Sequence, residues 1–483
     1  MNTNNKIVFY LIILQFFVIV IYGILDLCIE SHNAYFLSGI ISIAFFAVLL
    51  FAISKHNYIS LNKQYFRIST IFILGYLIVC YQKYVDLLCG YVNSQNSFLF
   101  VSPLYIDKAA ILSTAGLLSF IIGYLIYKPT FKKKQRKIRK IISTKVLNYI
   151  LLAAVCLFIY YNGIDYILGS YSQEYLESRH GSIASYSEII VRSIIFAILI
   201  LHTKNGSKTG GFFFYVKSLG VLFYLSLFAY LFLVLISGDR GPLISIASAY
   251  LFSYILKMRP KFSLWKIALL LAIASFGITI LGVIRDTDNE LSYNERINLA
   301  LNSEKMTTDR SVINSTAELA SSVRCLHYAM DYVPSKHPFL HGSFQFRDLF
   351  SIIPASNSIL NTFMDSSFQY TSSAYFITYI NQGKHYKYGD GSNVVADLYL
   401  SFGITGVVIG LFIFGLFLKY LEVICFSCNI TEISYFIYAL AFAYIGFAIY
   451  MSRATILMPL KYASFTYIIL VIYHYYLKIK HYK

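Results

Sequence analysis

The sequence predicts an all-α protein that crosses a membrane many times. Three observations predict this class: 58% of the 483 residues are apolar or aromatic, only 13% are charged, and the mean hydropathy is +0.63. Soluble domains carry about 25% charged and about 45–50% apolar residues. These values exclude an ordinary soluble enzyme and a disordered chain. Seven cysteines in this length also exclude a secreted disulfide scaffold.

Twelve segments are long and apolar enough to cross a bilayer, which takes about 20 residues of helix. They are 6–25, 34–53, 67–88, 109–127, 146–162, 188–203, 218–236, 242–256, 264–284, 393–418, 433–450 and 453–476. The first segment follows the short stretch MNTNNK, exceeds a signal-peptide core in length and lacks an A-x-A site. We therefore expect it to be retained as the first of twelve transmembrane helices.

The basic residues predict which side of the membrane each segment faces. Segment 128–145 carries nine Lys and Arg residues and is expected in the cytoplasm. Alternation along the chain then places both termini in the cytoplasm. The cytoplasmic segments together carry 24 of the 40 Lys and Arg residues, whereas Glu422 and Glu432 are the only acidic residues among them. This sorting explains the net charge of +17 without a nucleic-acid partner. It predicts contacts with anionic lipid headgroups instead.

One outer loop, residues 285–392, is much longer than most other connections, with 108 residues. Loops of this length are uncommon unless they are functional. Apolar residues recur at helical spacing within 306–333, where Ser315 and Glu318 match a capping box, and a second short helix is expected over 343–353. We expect amphipathic helices on the outer membrane face, some of them in contact with the bundle. The chain thus divides into three parts, namely 1–284, 285–392 and 393–483.

No signature of a soluble catalytic domain is present, such as a P-loop or an H-E-x-x-H motif. The outer compartment lacks nucleotide triphosphates, so a bond made there must draw its energy from the substrate, as a sugar on a lipid diphosphate would allow. Asp286 and Asp288 form a D-x-D pattern, but two acids so spaced arise easily by chance, and exposed helix-end acids are the favoured interpretation. We expect neither a metal site nor a cofactor.

The first candidate site is the turn SGDRGP, residues 237–242, between the seventh and eighth spans. It places Arg240 at the outer membrane boundary between two glycines, next to a helix N-terminus that favours an anion. A guanidinium group binds phosphate through two parallel hydrogen bonds. The alternative is a tight turn in which Arg240 pairs with Asp239 or with a lipid phosphate. A charge placed as deep in the membrane as that of Arg240 favours a functional role.

The second candidate lies in the long loop, where Arg324, His327 and Asp331 share one face of the predicted helix. Arg310, fourteen residues before Arg324, projects in nearly the same direction. The arginines could bind a diphosphate while His327 or Asp331 acts as a base on a sugar hydroxyl. The pattern alone favours a solvated polar face over this catalytic interpretation.

Three further charged residues lie near the outer boundary. Arg285 ends the ninth span and is a phosphate-binding candidate. Asp397 lies about one turn into the tenth span, and Arg453 begins the twelfth. Ionisable residues inside a membrane are costly, which favours function, although a structural ion pair between helices fits equally well. Asp397 is the best candidate for a base within the membrane.

The arrangement of many spans with one long outer loop resembles the Wzy family of O-antigen polymerases, which join oligosaccharide repeat units. SGDRGP resembles that family's S-G-x-R-G turn. The segment 389–410 is similar to the start of the family's span after the long loop, with Phe402-Gly403 and a GxxxG at Gly406 and Gly410. FLHGSFQFRDLFSIIP, residues 339–354, resembles the family's stretch of Gly, helix and Pro within the loop.

The resemblance implies an activity. Family members join repeat units carried on undecaprenyl diphosphate at the outer face of the bacterial inner membrane, transferring the growing chain to a new unit. It implies that outer arginines, Arg240 above all, hold the anionic substrates. It also implies membrane lipids, a chain-length regulator and other polysaccharide-assembly proteins as partners. The product would be O-antigen or capsule.

The mechanism expected from this chemistry is a single displacement that inverts the anomeric centre without a metal. Two other classes stay open. A flippase for lipid-linked oligosaccharide would also have many spans, but it usually shows related halves and midplane charges, which this chain lacks. An O-antigen ligase, or another membrane glycosyltransferase, would use the same donor.

Overall fold

The computed structural model describes residues 3–28, 32–54, 65–128, 142–167, 183–204, 211–236 and 239–260, four positions between 263 and 269, and residues 311–482 apart from 354–355, 361, 366, 387 and 428–433. Most of the predicted ninth span lies outside the described residues, as do Arg285, Arg310 and the D-x-D pattern. The part that is described forms helices and turns and contains no strand.

Ten helices lie in the described residues up to position 260. They are α1 (Thr3–Cys28), α2 (Ala34–Ile53), α3 (Ile68–Leu88), α4 (Ser97–Phe100), α5 (Leu104–Ile126), α6 (Lys145–Ile167), α7 (Ile183–Lys204), α8 (Phe212–Leu219), α9 (Val221–Ile236) and α10 (Gly241–Met258). The helices α8 and α9 meet at an angle of 87°.

Eight more helices lie in the residues that the structure describes from position 311 onward. They are α11 (Ala317–Ala320), α12 (Val323–Tyr332), α13 (Ser343–Phe350), α14 (Ser356–Leu360), α15 (Ser373–Gln382), α16 (Val394–Ser427), α17 (Tyr435–Phe447) and α18 (Pro459–Tyr482). The 3₁₀ turns Asn314–Thr316, Phe368–Tyr370 and Tyr450–Arg453 connect several of them.

Eight helices within the described ranges are long and apolar enough to cross a membrane, or up to nine when the bent pair α8–α9 counts as one span. The helical, polytopic class predicted from composition is therefore confirmed. The total of twelve spans stays a prediction, because most of the ninth span is not described and two further helices do not meet the criteria for a span. Helix α17 has only 13 residues, and the 24-residue α18 is rich in tyrosine and lysine and less apolar than the others.

Helices α5 and α16 form the closest pair in the bundle, and glycine makes their approach possible. A Cβ atom at Gly123 would clash with the backbone oxygen of Phe412, and one at Gly415 would clash with that of Phe120. The two backbones therefore lie in direct contact, which is the usual role of small residues between membrane helices. Helix α5 is buried along nearly its whole length and forms the centre of the bundle.

Helix α16 is broken near its beginning, where Phe402 (φ −145°) and Gly403 (φ +62°) leave the helical conformation. Glycine adopts such a positive φ without strain. Around the break, the backbone oxygens of Leu400 and Ser401 accept hydrogen bonds from the backbone N–H groups of Leu340 (2.9 Å) and His341 (3.0 Å). The break therefore joins the start of α16 to the loop.

The GxxxG pair contacts its own helix across this break. A Cβ atom at Gly406 would lie 2.5 Å from the backbone oxygen of Leu398, and one at Gly410 would lie 2.8 Å from the Leu398 side chain. The glycines thus make room for residues 394–401, the segment that carries Asp397.

The loop helices pack into one end of the bundle, which we call the loop face. Helix α12 contacts α3, α4, α5, α15 and α16, and its Val323, Leu326 and Ala329 are buried. Asp86, near the end of α3, binds the first described residues of the loop. Its carboxylate accepts hydrogen bonds from the Ser311 hydroxyl (2.7 Å) and the Val312 N–H (2.8 Å). The loop therefore forms part of the fold and covers the ends of several spans.

Candidate functional site

Two arginines from distant parts of the sequence meet at one carboxylate on the loop face. Arg240 stands directly before α10, and Arg453 ends the 3₁₀ turn before α18. A guanidinium nitrogen of Arg240 lies 3.5 Å from Oε2 of Glu318, and one of Arg453 lies 3.8 Å from Oε1. The Glu318 side chain is 50% exposed, whereas that of Arg240 is 15% exposed. Each carboxylate oxygen thus faces a different arginine.

A third arginine, Arg324 on α12, forms a buried ion pair of 2.9 Å with Asp390. Asp390 also accepts hydrogen bonds from the side-chain amides of Asn381 (3.0 Å) and Gln382 (2.7 Å). The guanidinium group of Arg324 lies over the Phe98 ring, 4.3 Å from its centroid. Hydrogen bonds, an ion pair and an aromatic contact therefore fix this arginine in place.

The two groups are neighbours. Gly391 follows Asp390 with a φ of +78°, and a Cβ atom there would lie 3.7 Å from Nε of Arg453. We call Arg240, Arg324 and Arg453, with their carboxylates Glu318 and Asp390, the arginine cluster. Three positive and two negative charges leave it with a net charge of +1, which favours an anion.

Several buried donors beside these ion pairs lack a hydrogen-bond partner within the described ranges. They are Nε of Arg240, Nε of Arg324 and the hydroxyl of Ser452, the residue before Arg453. A buried donor without a partner costs about 1–3 kcal/mol, so native proteins rarely retain one without a reason. An anion placed among the arginines would supply acceptors for such donors.

Asp397 lies below the loop in the first segment of α16 and is 1% exposed. Its Oδ2 accepts a hydrogen bond of 2.8 Å from the Gln345 side chain of α13, whose amide oxygen in turn accepts one from the Ser401 hydroxyl at 2.7 Å. Its Oδ1 is buried and accepts no hydrogen bond from the described residues. The carboxyl therefore has one oriented oxygen and one oxygen that is available to a further group.

A second carboxyl, that of Asp348, connects α13 to the segment that carries Arg453. Its Oδ2 accepts a hydrogen bond of 2.6 Å from the hydroxyl of Thr455, two residues after Arg453. Burial raises the pKa of Asp348, an effect that the Thr455 hydrogen bond and the Lys461 charge oppose. Helix α13 thus contacts both the Asp397 segment and the Arg453 segment.

An open groove of about 680 Å³ lies along α13, and Asp397 is not one of its lining residues. Its lining includes Gln345, which contacts Asp397, and the half-exposed rings of Phe346 and Phe402. The break in α16 exposes Phe402 to this groove. The groove is apolar except for a few polar side chains, so it can accommodate an amphipathic substrate, and Gln345 connects it to the carboxyl of Asp397.

The structure separates the three residues predicted to share a polar helix face. Arg324 belongs to the arginine cluster, but His327 is completely buried between α3 and α4. Its ring nitrogens contact the Tyr84 hydroxyl (2.9 Å) and the backbone oxygen of Phe100 (3.1 Å), and burial lowers its pKa to about 3. Asp331 is 28% exposed and pairs with Lys336 at 2.7 Å. Only Arg324 of the three joins the cluster.

Sequence reasoning did not assign four residues that shape this site. Asp390 and Gln345 lie within the segments that resemble the family but were not singled out, and Ser452 gave no signal, because their roles depend on partners far away in the sequence. Glu318 was noticed only as part of a capping box, although its position between two arginines is its most distinctive feature. The described residues contain no group of three or more His, Cys, Asp and Glu side chains that could hold a metal ion.

Fold and site together define a polytopic membrane protein with a cluster of arginines and carboxylates at its loop face. The chain belongs to the family described as O-antigen polysaccharide polymerase Wzy, which matches residues 7–483, nearly the whole chain. Neither a curated protein nor a solved structure matches it. Membership identifies the protein as an integral membrane polymerase that acts in polysaccharide biosynthesis on lipid-linked oligosaccharide repeat units.

Proposed function

We propose that the protein polymerises oligosaccharide repeat units carried on undecaprenyl diphosphate, at the outer face of the bacterial inner membrane. The growing glycan moves from its lipid diphosphate to a hydroxyl of a new lipid-linked unit. One observation supports this assignment most strongly: Arg240, Arg324 and Arg453 lie together with buried donors that have no partner within the described ranges.

The proposed step breaks the bond between the anomeric carbon and the diphosphate oxygen of the donor. That electron pair leaves with the diphosphate, the acceptor oxygen forms the new glycosidic bond, and its proton passes to a base. Diphosphate is a weak base and leaves without a general acid. It needs positive charge where negative charge develops, and fixed arginines supply that charge without reorganisation. The displacement inverts the anomeric centre and uses no metal.

We propose Asp397 as the base. It has a buried oxygen without a hydrogen-bond partner among the described residues, and it is oriented by Gln345, which lines a groove that can hold the acceptor. His327 fits this role less well, because both of its nitrogens already have partners inside the fold. Asp331 fits less well because it pairs with Lys336. Arg285 and Arg310 remain candidates for substrate binding from the sequence.

The substitution Arg240→Ala tests the assignment. Membranes that contain the variant, supplied with purified and outward-facing lipid-linked repeat units, should form polymer at a rate lowered about 100-fold or more, the usual effect of removing one donor to a developing anion. The matched control is Lys384→Ala, which removes an exposed cation of the loop. Both variants should be present in the membrane at the wild-type level. Polymer of normal length and amount from Arg240→Ala would contradict the proposed role.

The same assay separates the alternatives. Polymer formation by the wild-type protein supports the proposal. Transfer of the glycan to lipid A core would instead identify a ligase. Translocation of the lipid-linked unit across vesicles, without any new glycosidic bond, would identify a flippase.

A further inference from the structure

Glu318 holds an unusual position for a carboxylate in a site for an anion. Its two oxygens face Arg240 and Arg453 at 3.5 and 3.8 Å. Charge-assisted hydrogen bonds are shorter, about 2.7–2.9 Å. The carboxylate therefore neutralises the two guanidinium groups loosely.

The environment of Glu318 differs from that of Asp390, the other carboxylate of the arginine cluster. Asp390 is buried, pairs with Arg324 at 2.9 Å and accepts three further hydrogen bonds from amide side chains. Glu318 is half exposed and lies on α11, a helix of only four residues. Burial and three amide hydrogen bonds thus hold Asp390, whereas the half-exposed Glu318 can turn toward solvent.

A carboxylate and a phosphate present the same kind of acceptor oxygens to a guanidinium group. The place that Glu318 occupies between two arginines is therefore a place where phosphate oxygens can bind. A diphosphate carries more negative charge than one carboxylate and brings more acceptor oxygens. It would compete well for both arginines and for the unpartnered Nε of Arg240.

We propose that Glu318 is a displaceable counter-ion: it occupies the Arg240–Arg453 pair when the site is empty and gives way to the diphosphate of the lipid-linked substrate. This inference rests on the proposed function, because it takes the arginine pair as the diphosphate site. The carboxylate keeps two like charges together in the empty protein, and its return after the reaction helps to release the diphosphate product. Arg324, held by Asp390, stays in place throughout.

The affinity of the purified full-length protein for farnesyl diphosphate, used as a short-chain probe, tests the proposal. The substitution Glu318→Gln keeps the size of the side chain and removes the competing charge. Two partly exposed ion pairs correspond to a change of about two- to twentyfold, so the Kd should fall by that factor. Glu318→Ala should change the Kd in the same direction. The control Asp365→Asn, which alters an exposed loop acid outside the cluster, should leave it unchanged.

The outcomes distinguish the two proposals. If Arg240→Ala and Arg453→Ala weaken binding while both Glu318 variants bind with unchanged or lower affinity, the arginine pair is the anion site and the counter-ion role is wrong. If neither arginine variant weakens binding, the proposed diphosphate site itself fails. Amide hydrogen exchange gives a second test in the wild-type protein. Residues 317–320 should exchange faster when the probe binds, and slower or unchanged exchange would overturn displacement.

Discussion

At the scale of single residues, burial decides what each arginine of the cluster does for the protein. Arg324 pairs with a carboxylate that is buried in the fold, whereas Arg240 faces one that is half exposed. Removing one partner of a buried pair leaves an uncompensated charge, while breaking an exposed pair changes stability little. Two residues of identical chemistry should therefore respond differently to the same substitution.

The first prediction follows from this difference. Arg324→Ala leaves Asp390 buried without its cation, and we expect a loss of about 3–5 kcal/mol in the stability of the folded loop. Thermal unfolding in detergent should show a clearly lower midpoint, and the loop should be cleaved at lower protease concentration. Arg240→Ala is the matched control and should unfold close to the wild-type temperature. Equal midpoints for the two variants would contradict the structural role of the Arg324–Asp390 pair.

Sequence reasoning found Arg240, Arg453 and Asp397 because a charge at a membrane boundary is conspicuous without any knowledge of the fold. It could not find Glu318 as the partner of Arg240 and Arg453, since an ion pair between distant segments depends on how the helices pack. For the same reason it could not find Asp390 as the partner of Arg324. His327 shows the opposite error. Its spacing on α12 suggested an accessible base, but that helix is inserted among α3, α4 and α5, which encloses the ring.

At the scale of helices, the contact between α5 and α16 determines where the loop face can form. Helix α5 is central, and α16 carries Asp397 at one end of the same contact. Any separation of these two helices would move the carboxyl relative to the loop helices above it. The glycines at the contact therefore affect the site from a distance.

The second prediction compares two glycines in helix interiors. Gly123→Ala should destabilise the protein by about 1–3 kcal/mol, the usual cost of overpacking, because the new methyl group meets the backbone of α16. Gly39→Ala should be neutral or stabilising by up to about 1 kcal/mol, because nothing lies within 4 Å of its Cβ position and alanine favours a helix. Thermal unfolding of both variants in the same detergent measures the contrast. Equal stability would mean that α5 and α16 are not in backbone contact.

Apolar length predicted most of the membrane helices because a bilayer imposes the same requirement on every span. It did not predict the break in α16. An apolar run gives no sign of where a helix ends inside the membrane, and a GxxxG pair is typical of packing against another helix. The break is stabilised by backbone hydrogen bonds to Leu340 and His341, residues of the loop, which local sequence does not reveal.

At the scale of the whole molecule, the proposed reaction depends on the side of the membrane that the loop face occupies. The loop helices, the arginine cluster and Asp397 lie at one end of the bundle, and the basic segment 128–145 was predicted on the opposite side from charge alone. The polymerisation proposed above uses lipid-linked units that face outward. The positive-inside distribution thus predicts that the arginine cluster lies on the side of the membrane where the proposed reaction takes place.

The third prediction tests this orientation directly. In a background whose seven cysteines are replaced by alanine or serine, Lys384→Cys places a thiol on the exposed part of the loop, and Lys480→Cys places one near the end of α18. A membrane-impermeant maleimide should label the first in intact spheroplasts and the second only after permeabilisation, because both termini are expected in the cytoplasm. A cytosolic protein with an exposed cysteine, unlabelled in the same cells, verifies that the spheroplasts are sealed. The reverse pattern would place the arginine cluster in the cytoplasm, where an outward-facing lipid diphosphate cannot reach it, and would contradict the proposed polymerisation at the outer face.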